Sequence, residues 1–172
     1  RLQPVTQDLA SSLGLDRPRG AIVADIWQGG AADRAGLQQG DVVVAVDGVE
    51  VNDEVGARFR FATRMIGDTA ELSVLRDGRE RVLRVDAEPA PGAIEGARME
   101  ITGENPLHGA ELVQLSPAFN EENGIDPFMN GVLVSSVARR SAAAYFGFQP
   151  GDRILSIQDE RVDNLVDLNR IL

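Results

Sequence analysis

The chain has 172 residues, 43% of them hydrophobic, 26% charged and only 5% aromatic, which is the profile of a globular protein rather than a disordered or fibrous one. Its net charge of −10, from 27 acidic and 17 basic residues, repels a phosphate backbone, so nucleic acid is excluded as an expected partner. Zero Cys excludes disulfides, zinc–thiolate sites and a thiol nucleophile, and the single His, without a second His at metal spacing, leaves no expected metal or other cofactor.

Taken in chain order, the first segment is the short apolar run Leu2, Gln3, Pro4 and Val5, and residues 1–10 lack the basic-then-apolar order of a signal peptide. Residues 21–27 and 41–46 are apolar, β-branched and bounded by Gly, and read as two largely buried strands. Between them residues 31–35 form one helical turn closed by Gly36, a residue type that suits the left-handed end of a helix. Asn52 or Asp53 can cap a helix running to about residue 65, because a side-chain oxygen there accepts from the free N–H groups of the first turn. Residues 71–75 and 79–85 flank Asp77-Gly78, a dipeptide that tolerates the positive φ angles of a tight hairpin. The Pro- and Gly-rich residues 87–92 disfavour helix and ladder alike and mark a linker.

Downstream the pattern returns. Gly20, Gly36, Gly40 and Asp41 correspond to Gly131, Gly147, Gly151 and Asp152, each pair 111 positions apart without a gap. That offset is too long for a solenoid period, so each copy is expected to be a domain with its own core. The second copy's helix opens near Asp163, so the counterpart of the 71–85 hairpin would fall beyond Leu172. Ser135 and Ser136 lie in an expected buried strand, and no Gly-x-Ser-Gly-Gly motif is present, so no catalytic residue is expected.

An Ala-Ala turn closed by Gly, then Gly-Asp leading into an apolar strand and a capped helix, resembles a PDZ domain. It occurs as Ala31-Ala32, Gly36-Leu37, Gly40-Asp41 and again as Ala142-Ala143, Gly147-Phe148, Gly151-Asp152. With residues 2–21 added, nearly the whole chain resembles the tandem PDZ region of the HtrA/Deg family of bacterial trypsin-like serine proteases. The resemblance implies a mainly β fold with α-helices, a partial barrel or sandwich. It implies a first PDZ domain over residues 1–88, without most of its upstream carboxylate-binding loop, a linker at 89–97, and a second PDZ domain over 98–172, truncated before its last strands. It further implies a periplasmic setting and a regulatory role, with peptides or unfolded segments as ligands and the parent's own protease domain and sister subunits as partners. Membrane association would come only through absent segments.

In such domains a peptide adds as a strand to a sheet edge beside the long helix, and a loop holds its carboxylate. Carried over residue by residue, the first groove comprises Leu2, Gln3, Pro4 and Val5 with Ala57, Arg58 and Phe61. The second comprises Leu107, His108, Gly109, Ala110 and Leu112 with Leu168, Asn169 and Leu172. Pro4 has no N–H to donate, which weakens the first edge at that position. The alternatives are the PDZ region of an intramembrane metalloprotease or a C-terminal processing protease, or a module that mainly assembles oligomers.

Overall fold

The computed structural model describes residues 1–93 and 95–172, so Ile94, inside the expected linker, lies outside the described residues. The chain divides into two units, Arg1–Pro89 and Ala90–Leu172.

In the first unit the elements run β1 (Leu2–Pro4), α1 (Gln7–Ser12), β2 (Ala21–Val23), α2 (Ala31–Arg34), β3 (Val42–Val46), β4 (Val49–Glu50), α3 (Glu54–Ala62), β5 (Thr69–Arg76) and β6 (Arg79–Asp86). Local chemistry sets the boundaries. Asp53 caps α3 by accepting from the Gly56 N–H at 2.7 Å, and the β5–β6 hairpin turns through Asp77 and Gly78, both at positive φ. β2 is shorter than the expected 21–27 run: Ala24 N–H still reaches the Arg1 carbonyl, but Ile26 N–H turns to the Asp25 carboxylate and the backbone leaves the ladder.

The antiparallel sheet has the order β1-β2-β3-β5-β6, with β4 on β3 and a register shift in β3 between Val43 and Ala45. One face buries Val23, Val43, Val46, Val51, Ala57, Leu72, Val74 and Val85, against which Leu2 and Phe61 pack. The other face carries Val5, Ala10 and Val42, closed by α1. Asp41, 1% exposed, is held by Arg76, whose Nε and Nη2 donate at 2.6 and 2.7 Å, while Arg76 also reaches the Gly36 carbonyl at 2.8 Å. The hydrogen bond to Asp41, seconded by its charge, raises the Arg76 guanidinium above its ordinary range despite desolvation.

The second unit runs β7 (Arg98–Glu100), β8 (Ala110–Gln114), α4 (Pro117–Glu122), β9 (Val132–Val137), α5 (Ala142–Phe146), β10 (Arg153–Ile154), β11 (Ser156–Ile157), β12 (Glu160–Arg161) and α6 (Leu165–Ile171). Its sheet has the order β10-β9-β8-β7, and β11 pairs β12 separately. The core holds Ile101, Leu107, Leu112, Val132, Val134, Ile154, Val162, Leu165 and Leu168. Two expectations change here. The expected 153–157 strand is broken at exposed Leu155, because β10 pairs only with β9 among the described residues and nothing holds it straight on its other side. Neither serine of β9 is buried: Ser136 is exposed and Ser135 half-buried, its hydroxyl donating to the Glu111 carbonyl and carboxylate.

Candidate functional site

The outer edge of β1 is the first place where the backbone has unspent hydrogen-bonding groups. β1 pairs antiparallel with β2 in the register Leu2↔Val23, Gln3↔Ile22, Pro4↔Ala21. The Arg1 carbonyl accepts from Ala24 N–H, so alternation points the backbone groups of Arg1 and Gln3 toward β2 and those of Leu2 and Pro4 outward. No strand pairs with that outward side among the described residues. α3 packs against β1, and Arg58 Nη2 donates to the outward Leu2 carbonyl at 3.3 Å. Ala57 is buried, Phe61 half-buried and Arg58 exposed. The site is therefore a short edge with one donor (Leu2 N–H) and two acceptors (Leu2 and Pro4 carbonyls), walled by Ala57, Arg58 and Phe61. Pro4 leaves a gap in the donor row.

Val5, expected on this edge, lies beyond β1 and is buried with Ala10 and Val42 on the opposite face of the sheet. Arg64, two residues beyond the end of α3, is engaged elsewhere, in an ion pair with Asp47.

The second unit's corresponding edge is differently placed from the expected open groove. Leu112 faces Val134 as Leu2 faces Val23, and Val134 and Val23 are 111 positions apart, so β8 is the structural counterpart of β1. The outer edge of β8 is paired with β7, in the register Arg98↔Val113, Met99↔Leu112, Glu100↔Glu111. Gly109, expected as an open donor, gives its N–H to the Ile101 carbonyl at 2.9 Å and accepts from Ala138 N–H at 2.7 Å. Its φ is +83°, and a methyl there would come within 2.4 Å of the Ser141 Cβ, so packing as well as conformation demands glycine. Leu107, Ala110, Leu112 and Leu168 are core residues. His108 and Asn169 have exposed side chains, and the His108 carbonyl accepts from Ala143 N–H. Leu172, 45% exposed, joins Pro106, Leu107, Phe148, Leu155 and Ile157 around an apolar cleft of 390 Å³ along β10 and β11, away from the β8 edge.

β7 itself went unread in the sequence. Three residues, Arg98, Met99 and Glu100, carry too short an alternation to mark a strand. The available signal was Gly96 followed by the apolar Met99 and Ile101 at a spacing of two. Among the described residues no group of three His, Asp or Glu side chains is placed to hold a metal ion, and no helix is long and apolar enough to cross a membrane.

Comparison with known proteins matches these units to one family. A family model described as PDZ domain matches residues 2–87, half of the chain, and a second PDZ domain model matches residues 133–172. The chain belongs to the PDZ family. As a tandem PDZ chain it is 33% identical, over 99% of its length, to a probable periplasmic serine endoprotease DegP-like of Chlamydia pneumoniae. It is 35% identical, again over 99% of its length, to the protein of the same name from Halomonas elongata. The chain spans 34% and 35% of these relatives, so the PDZ part corresponds to a third of each. Among solved structures it is similar to the HtrA-type protease AlgW with decapeptide, at 32% identity and a TM-score of 0.45, covering 50% of this chain and 26% of that one.

Proposed function

We propose that this chain is the peptide-binding regulatory part of a periplasmic trypsin-like serine endopeptidase in protein quality control. It receives C-termini or extended segments of misfolded proteins and supplies no catalytic residue of its own. The observation that carries the reading is the outer edge of β1: backbone groups of Leu2 and Pro4 face away from the sheet, beside a helix whose Phe61 offers an apolar wall. An added strand bonds through the main chain, which is sequence-tolerant, while Ala57 and Phe61 favour an apolar side chain. That combination suits a module meeting many unfolded clients. The family membership and the names of the relatives support a reading in which the module stands beside a serine protease domain in the periplasm, with sister subunits as further proposed partners.

Affinity is expected to be about micromolar, because ordering a flexible peptide offsets much of the contact energy. Isothermal titration with peptides ending in an apolar residue tests this. Phe61→Ala should weaken binding about tenfold by removing the pocket wall. Amide NMR shifts should fall on β1 and α3. Affinity indifferent to Phe61→Ala, with shifts elsewhere, would move the function to oligomer assembly.

A further inference from the structure

We propose that residues 97–101 are an internal ligand of the second unit, occupying the β8 edge in place of a free peptide and closing that groove. The proposal rests on the strand-addition reading above and extends it to a site that opens only when this segment leaves.

The segment behaves as an added strand in each respect that can be checked. It runs antiparallel to β8, so its C-terminal end points to the loop Leu107, His108, Gly109. Gln114 N–H donates to the Ala97 carbonyl at 2.8 Å, Ile101 N–H to the Ala110 carbonyl at 2.9 Å, and Gly109 N–H to the Ile101 carbonyl at 2.9 Å. The last bond places the Ile101 carbonyl where a terminal carboxylate would meet that loop. Ile101 is 4% exposed and packs in the same cluster as Leu107, Leu112 and Leu168, so it fills the place of an apolar C-terminal side chain. Upstream, a methyl on Gly96 would come within 2.4 Å of Val113 and 3.0 Å of Phe119, which shows how closely the segment lies on its neighbours. Outside, Arg98 pairs with Glu111 at 3.4 Å.

A segment tethered through the short 102–109 loop competes at an effective concentration of about millimolar. Against an intrinsic affinity of about micromolar, it would weaken a free peptide roughly a thousandfold, to a level that leaves the groove closed.

The test uses the full chain and the synthetic peptide Ala-Arg-Met-Glu-Ile with a free carboxylate, followed by amide NMR in both units. In the unaltered chain the peptide should shift amides of β1 and α3 and leave 109–113 unmoved. Met99→Pro/Ile101→Ser removes a ladder donor and the apolar anchor. It should speed hydrogen exchange at 110–114 by roughly tenfold or more, keep Val132 to Val134 protected, and admit the peptide at 109–113. The amidated peptide should bind that opened groove more weakly. A variant joining β7 to β8 by a disulfide, Glu100→Cys/Glu111→Cys, should keep 109–113 silent toward the peptide, and it serves if the opening variant loses its β9 protection. Peptide shifts at 109–113 in the unaltered or the disulfide-joined chain would overturn the internal-ligand proposal alone. Silence at β1 and α3 would count against the proposed function, leaving the exchange and peptide response at 109–113 to decide this one.

Discussion

β1 and β8 are the same strand in two copies of one repeat, yet they meet different neighbours. Both pair inward with an equivalent strand, Leu2 with Val23 and Leu112 with Val134. Outward, β8 is paired by β7, whereas β1 faces α3 and the guanidinium of Arg58. Where Gln114 gives its N–H to Ala97, the equivalent Pro4 has none to give. The acidic residue after the repeated Gly follows the same rule. Asp41 and Asp152 each accept from an N–H three residues upstream, at Gln38 and Gln149. Asp41 is buried and Asp152 exposed: β5 brings Arg76 to Asp41, and no strand among the described residues does the same for Asp152. Helix residues diverge as well, since Ala57 and Leu168 are equivalent at 111 positions yet differ by three carbons of core volume. Repetition conserves the turns and inner pairings, and the partner laid alongside decides what each copy can bind.

The two units should differ most at the acidic pair. Arg76→Ala strands a carboxylate in the first unit and should lower that unit's unfolding midpoint by about 20 °C, while Asp152→Ala, at an exposed site, should shift the second unit by less than about 2 °C. Scanning calorimetry that found equal shifts would show the two aspartates to be equivalent after all. Next in size, Leu168→Ala should cost the second unit about 2–4 kcal/mol in urea unfolding, against less than about 0.5 kcal/mol for half-exposed Leu172→Ala. A smaller contrast lies in hydrogen exchange: Val43 to Val46, flanked on both sides, should be protected roughly tenfold or more over Ile154 to Ile157. Reversed protection would mean that β10 gains a second neighbour in solution. The smallest effect is expected from Pro4→Gln, which gives β1 the donor that β8 has and should tighten an apolar C-terminal peptide about threefold, as one net hydrogen bond allows. A titration showing no change would place the bound peptide short of Pro4.

Features settled within a few residues of chain are readable from the amino acids alone. Gly36 and Gly147 are at positive φ, as helix ends closed by glycine require, and the Asp77-Gly78 hairpin and the Asp53 cap form where their side chains and φ preferences put them. The 111-residue offset followed from the same residues, since turns and caps repeat as literal letters. The sheet edges depend instead on long-range packing. Nothing local to Arg98, Met99 and Glu100 says that they pair with β8, and nothing local to Val5 says that it turns to the face closed by α1. The groove residues were therefore legible as residue types, while the state of each groove was not. A strand's inward face is written in its own alternation, but its outer edge is satisfied by whichever segment the fold brings beside it, and that choice is made across long loops by packing.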